Sequence, residues 1–121
     1  MSDVSWSAAH LEDLGEGPGF RKVRAALGVE AFGVNAIVLP PGEASRFHYH
    51  ERQEELYFLH AGSVEIEFGG GASRRLGPGD FVRVEAHTRR RLRNVGDGDA
   101  VYVCVGGAGG YVGRDGAPAE A

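Results

Sequence analysis

Residues 41–62 read PGEASRFHYHERQEELYFLHAG, from Pro41-Gly42 to Ala61-Gly62, and this stretch decides both the architecture and the chemistry of the chain. Its centre, Phe47-His48-Tyr49-His50, sets two imidazoles two residues apart. On a strand such residues project from one face with Cα atoms roughly 6.7 Å apart, so both rings can converge on one ion about 2.1 Å from each nitrogen. The polar turn after His50 lets Glu55, which opens the next apolar run, come back opposite them. Two imidazoles and one carboxylate suit divalent Fe, Mn, Zn, Ni or Cu and leave coordination positions open. A bare His-x-His is more often a solvated pair beside a turn, so the wider spacing has to decide.

Outward from this stretch the apolar runs are strand-length and separated by turn residues: 20–27, 32–39, 46–50, 55–60, 63–68, 81–85, 90–95 and 100–105. Alternation is clearest in Val64-Glu65-Ile66-Glu67-Phe68, with three apolar side chains on one face, two glutamates on the other and Gly69-Gly70-Gly71 as the turn. Val101, Val103 and Val105 alternate with Tyr102 and Cys104, so that strand is covered on both faces. Many short antiparallel strands at this spacing predict a small all-β barrel or jelly roll, which limits its exposed edges by closing. Residues 1–19 read as an arm and loop, 20–113 as the barrel and 114–121 as a tail.

Composition agrees. Twenty of 121 residues are Gly and one is Lys, which suits turns far better than helices. The formal charge of -4 offers no global attraction to phosphate backbones or anionic lipids, so neither nucleic acid nor membrane is an expected partner. Cys104 is the only cysteine, which excludes an internal disulfide and a cysteine-built zinc site. Met1 to His10 carries Asp3 and no apolar run, unlike a signal peptide, and a cytoplasmic location is expected.

The spacing Gly42, five residues, His48, one residue, His50, four residues, Glu55, six residues, Gly62 resembles the first motif of the cupin superfamily. That pattern admits three or four residues before its glutamate, so Glu54 also qualifies, but the six residues before Gly62 select Glu55. A second cupin motif is similar in outline to the segment from Gly77-Pro78-Gly79-Asp80 onward: Asn94 stands at the motif's Asn position and Arg90 where its fourth ligand, a His, would be. The resemblance implies a double-stranded β-helix barrel with a short N-terminal arm, a divalent metal on His48, His50 and Glu55, and a homodimer.

Arg90 complicates the site. A guanidinium has five donors and no acceptor lone pair, so it cannot ligate a cation. Strand parity with Leu92 and Asn94 points it inward, where an unpaired charge would cost several kcal/mol. Three arrangements satisfy it: Arg90 reaches past a bound metal to a substrate carboxylate; Arg90 pairs with Glu55 in a metal-free pocket; or it faces solvent with Arg89, Arg91 and Arg93 while His87 supplies a nitrogen. The arginine run itself reads as a solvated face paired with Glu65 and Glu67. Tyr57 shares the parity of Glu55 and is a candidate to line the cavity and touch substrate. His60 has the opposite parity, His10 has no role, and Cys104 reads as a buried thiol.

Two functions follow. One is a metal-dependent enzyme of dioxygenase, isomerase or lyase type acting on a small anionic substrate, with Arg90 orienting it. The other is a non-catalytic small-ligand-binding protein, metal-free, with Arg90 paired to Glu55.

Overall fold

The computed structural model describes residues 5–121, so residues 1–4 of the expected arm lie outside it. Its strands are β1 (Gly19–Arg21), β2 (Gly33–Leu39), β3 (His48–His50), β4 (Glu54–Ala61), β5 (Val64–Phe68), β6 (Ser73–Leu76), β7 (Phe81–Val84), β8 (Arg90–Asn94), β9 (Ala100–Gly107) and β10 (Gly116–Pro118). They form two antiparallel five-stranded sheets, ordered β1-β2-β9-β4-β7 and β10-β3-β8-β5-β6. This is the all-β double-stranded β-helix expected from the sequence.

Two alternating faces close the core. Val64 and Ile66 of β5 point inward and are fully buried, together with Leu92 of β8, Leu59 of β4 and Ala100 of β9. Glu65 and Glu67 face outward opposite Arg93 and Arg91, in the expected cross-strand pairing, with Arg91 Nη2 3.1 Å and Arg93 Nη2 3.6 Å from their carboxylates. Pairs this exposed contribute only about 0.2–1 kcal/mol each, so they mark a solvated face more than they hold the fold.

Three elements differ from the sequence reading. The run 20–27 is not one strand: β1 ends at Arg21, and Val23–Leu27 forms a short helix, α1. Arg24, Ala25, Ala26 and Leu27 are good helix formers, and Gly28 stops the helix in the left-handed conformation at φ 75°. β6 escapes a periodicity search because only Leu76 of Ser73-Arg74-Arg75-Leu76 is buried. In the expected tail, β10 pairs with β3 and joins the sheet. The arm contains a 3-10 turn at Leu11–Leu14 and is tied to α1 by Ser7 Oγ donating to the Leu27 carbonyl at 2.7 Å. No helix among the described residues is long and apolar enough to cross a membrane.

Gly62, the last glycine of the first motif, is required by its surroundings. It sits at φ +86°, and a Cβ there would lie 2.8 Å from Ala100 Cα. Gly62→Ala is therefore expected to destabilise the protein by about 2–4 kcal/mol, combining left-handed strain with overpacking against backbone. Urea denaturation checks this, and a loss below about 1 kcal/mol would show that the turn relaxes freely.

Candidate functional site

Strand register stacks the inner faces in levels. Glu55 of β4 lies opposite Gly106 of β9; one level down, Tyr57 meets Cys104, which meets Asn35 of β2; below that, Leu59 meets Tyr102, which meets Ile37. Across the barrel His48 of β3 is paired with Arg90 of β8. The sheets thereby bring His48, His50 and Glu55 together, with one ligand atom from each all within 4.8 Å of one another. Beside them opens a cavity of roughly 600 Å³ whose walls include Ile37, Leu39, Tyr57, Leu92, Tyr102 and Cys104.

Hydrogen bonds fix each donor. His48 Nδ1 lies 2.8 Å from the Arg46 carbonyl. A carbonyl only accepts, so Nδ1 carries the proton and Nε2 keeps its lone pair. Burial, reinforced by the positive charge of Arg90 against the opposing backbone bond, lowers the His48 pKa and keeps the ring neutral. His50 Nε2 is 3.2 Å from Glu55 Oε1, while its Nδ1 faces Gln53 Nε2 at 3.2 Å and Asp115 Oδ2 at 3.6 Å. Glu55 Oε1 accepts from the Tyr57 hydroxyl at 2.6 Å and from Arg90 Nη2 at 2.7 Å, and Oε2 accepts from Gln53 at 3.0 Å. Burial alone would raise the Glu55 pKa, but His50, Tyr57 and Arg90 outweigh it and hold the carboxyl far below its ordinary range.

Arg90 points inward as parity predicts and is 0 % exposed, which overturns the solvent-facing arrangement. It does not reach the cavity either. Its Nε donates to the Tyr57 hydroxyl at 3.3 Å, Nη1 to the carbonyls of Thr88, Ala86 and Glu85, and Nη2 to Glu55. Every guanidinium nitrogen is thus engaged behind the carboxylate, and Arg90, expected from the sequence to touch substrate, does not line the cavity. His87 is corrected too: its Nε2 binds the Glu51 carbonyl at 2.9 Å, and it does not line the cavity, because inward-facing Arg90 leaves the preceding turn outside. Glu54 points the other way from Glu55, with a side chain 59 % exposed and 3.2 Å from Arg83 Nε. The Tyr57 ring lines the cavity, but its hydroxyl is committed to Glu55.

Gln53 and Asp115 were missed. Gln53 shares the parity of Glu55 and was legible for that reason; its amide packs where a Cβ on Gly106 would stand, 3.0 Å away. Asp115 precedes β10 and accepts the backbone N–H groups of Arg52 and Gln53 at 2.9 and 2.7 Å, fixing the turn that carries both His50 and Glu55. No local signal could assign it, since it acts across more than sixty residues.

The donor set fits a divalent ion. Nε2 of His48 is a free lone pair set by its backbone partner, the carboxylate is ionised, and the three candidate ligand atoms lie within 4.8 Å of one another; His50 Nε2, 3.2 Å from Glu55 Oε1, would ligate in the tautomer that carries its proton on Nδ1, toward Asp115. Arg90 works against affinity by cancelling the negative charge that a cation would use.

The family model for the Cupin domain matches residues 35–106. Dimethylsulfoniopropionate lyase DddQ of Ruegeria pomeroyi is 46% identical over 46 residues, which are 38% of this chain and 22% of that protein. The chain thus spans about a fifth of that curated relative's length. A conserved double-stranded β-helix protein from Klebsiella pneumoniae superposes with TM-score 0.78 across 100% of both chains at 19% identity, a likeness of fold alone. A sugar phosphate isomerase of Silicibacter pomeroyi superposes with TM-score 0.68 at 27% identity, covering 84% of this chain and 67% of that one.

Proposed function

The chain belongs to the cupin domain family, and from that premise we propose that its barrel holds a divalent transition metal on His48, His50 and Glu55 and binds a small anionic substrate there. The observation that carries this reading is the convergence of one candidate ligand atom from each of His48, His50 and Glu55 within 4.8 Å, with the His48 tautomer set by the Arg46 carbonyl. A bound divalent ion would supply Lewis-acid polarisation of a substrate oxygen. The chain's own residues set the rest. Arg90 neutralises Glu55 and the Asp115 carboxylate lies 3.6 Å from His50, so a dication would leave this cluster with one uncompensated positive charge and favour an anionic head group. Tyr57 is a poor general base, since burial pushes its pKa well up and its hydroxyl is bound to Glu55. A lyase and an isomerase among the relatives support a lyase or isomerase reaction for this site.

The test is metal content. Protein purified without chelator and loaded anaerobically with Fe(II), Mn, Zn or Ni is expected to retain about one ion per chain, and His48→Ala to lose at least tenfold in affinity. Retention below about one tenth of an equivalent for every ion would sink the proposal. A second reading, a metal-free ligand-binding pocket, is favoured by the 2.7 Å Arg90–Glu55 pair and is the state that failure would leave standing.

A further inference from the structure

The cavity beside the donors is selective in a way the donors alone are not. Its walls are mainly apolar, with Ile37, Leu39 and Leu92 facing the rings of Tyr57 and Tyr102. Among the residues lining it, the one cationic side chain outside the donor set is Arg46, which is exposed, as is its acidic neighbour on the rim, Glu43. The interior guanidinium, Arg90, is wholly spent on Glu55, Tyr57 and three carbonyls. A phosphate carries about −1.5 to −2 charge and several strong acceptors; a metal on the donor set would meet one or two of them, and the rest would find no free donor cation in this interior.

Tyr102 supplies the second observation. It is 4 % exposed and lines the cavity, yet its hydroxyl has no hydrogen-bond partner among the described residues. The hydroxyl is not sealed off: among the described residues Arg21 Nε is the one buried side-chain polar atom without a partner, so the Tyr102 hydroxyl opens on cavity volume that a ligand can fill. It stands on β9 four residues from Gly106, the partner of Glu55, so it marks the far wall from the donor set.

Resting on the metal-site reading above, we infer that the cavity takes a monoanionic organic acid with an apolar body, whose carboxylate meets the donor set and whose second, uncharged polar group meets the Tyr102 hydroxyl. Phosphorylated sugars bind more weakly there.

The experiment is calorimetric titration of zinc-loaded protein, its metal content measured on the same sample, with phenylacetate, 4-hydroxyphenylacetate and glucose 6-phosphate. The expected result is that 4-hydroxyphenylacetate binds about fivefold more tightly than phenylacetate, the effect of one neutral hydrogen bond. Glucose 6-phosphate is expected to bind at least tenfold more weakly than either. Tyr102→Phe should abolish the hydroxyl preference, read as the ratio of the two aryl-acid affinities. Equal or tighter binding of glucose 6-phosphate, a hydroxyl preference that survives Tyr102→Phe, or no aryl-acid binding at all would overturn the inference. The two readings fail separately: full metal content without aryl-acid binding refutes this inference alone, whereas Tyr102-dependent aryl-acid selectivity in protein that retains no zinc refutes the metal reading alone.

Discussion

Arg90→Ala is expected to destabilise the chelator-treated protein by about 3–5 kcal/mol in urea denaturation at pH 7, the cost of removing one partner from a buried ion pair. The size follows from what the guanidinium holds. It is 0 % exposed, bonds Glu55 at 2.7 Å, and donates to the carbonyls of Glu85, Ala86 and Thr88 at the turn before β8, the first two of which also accept the backbone N–H groups of Thr88 and His50. Tyr57 and Gln53 would still donate to Glu55 and limit the damage to its carboxylate. Arg90→Lys should fall between, because an ammonium keeps the charge but cannot span the carboxylate and three carbonyls at once. The acid limb gives an independent readout. Glu55 is held below its ordinary value of 4.5 in the folded state, so its contribution is fully present above that pH and is lost as pH falls below it. Arg90→Ala should flatten that fall. A loss under about 1 kcal/mol with an unchanged acid limb would show that the pair stabilises little beyond what an apolar filler provides.

What was legible in the sequence is what local geometry encodes. His48 and His50 share a face because a strand has period two, and Glu55 returns opposite them because one short turn separates β3 from β4. Arg90 pointed inward for the same reason. Glu55 is one of three arrangements the sequence leaves open for it, because whether a buried guanidinium reaches the cavity or stops at a carboxylate depends on a few ångströms of cross-sheet distance. Asp115 and β10 were hidden more completely: Gly116-Ala117-Pro118 has no strand periodicity and pairs only because β3 presents an edge to it. The helix Val23–Leu27 was misread because its apolar residues form a run without contrast, where helix propensity and a stopping glycine outweigh strand length. Gly62 is legible as the last position of the motif spacing, and the closeness of Ala100 to where its Cβ would stand gives the steric reason.

Arg90→His is expected to raise affinity for zinc or manganese at least about a hundredfold, or roughly 2.7 kcal/mol. Three changes act in one direction. The substitution removes a full positive charge lying 2.7 Å from the Glu55 carboxylate. It also frees Glu55 Oε1 from one of its donors, and it places an imidazole on β8 directly across from His48, the residue paired with position 90. Stability should become metal-dependent as a result. Without metal the variant loses the Arg90 bonds and leaves Glu55 short of a countercharge, so its melting temperature in EDTA should fall below that of the wild type. Metal at a hundred times its dissociation constant would restore about 2.7 kcal/mol by linkage, since the unfolded chain offers no assembled site. Competition against a chromogenic chelator measures the affinity, and melts with and without EDTA measure the coupling. If the variant is folded by circular dichroism yet binds metal no better than the wild type, Arg90 is not what limits the site. The limit would then lie in the His50–Gln53–Asp115 cluster, whose hydrogen bonds compete for the second imidazole.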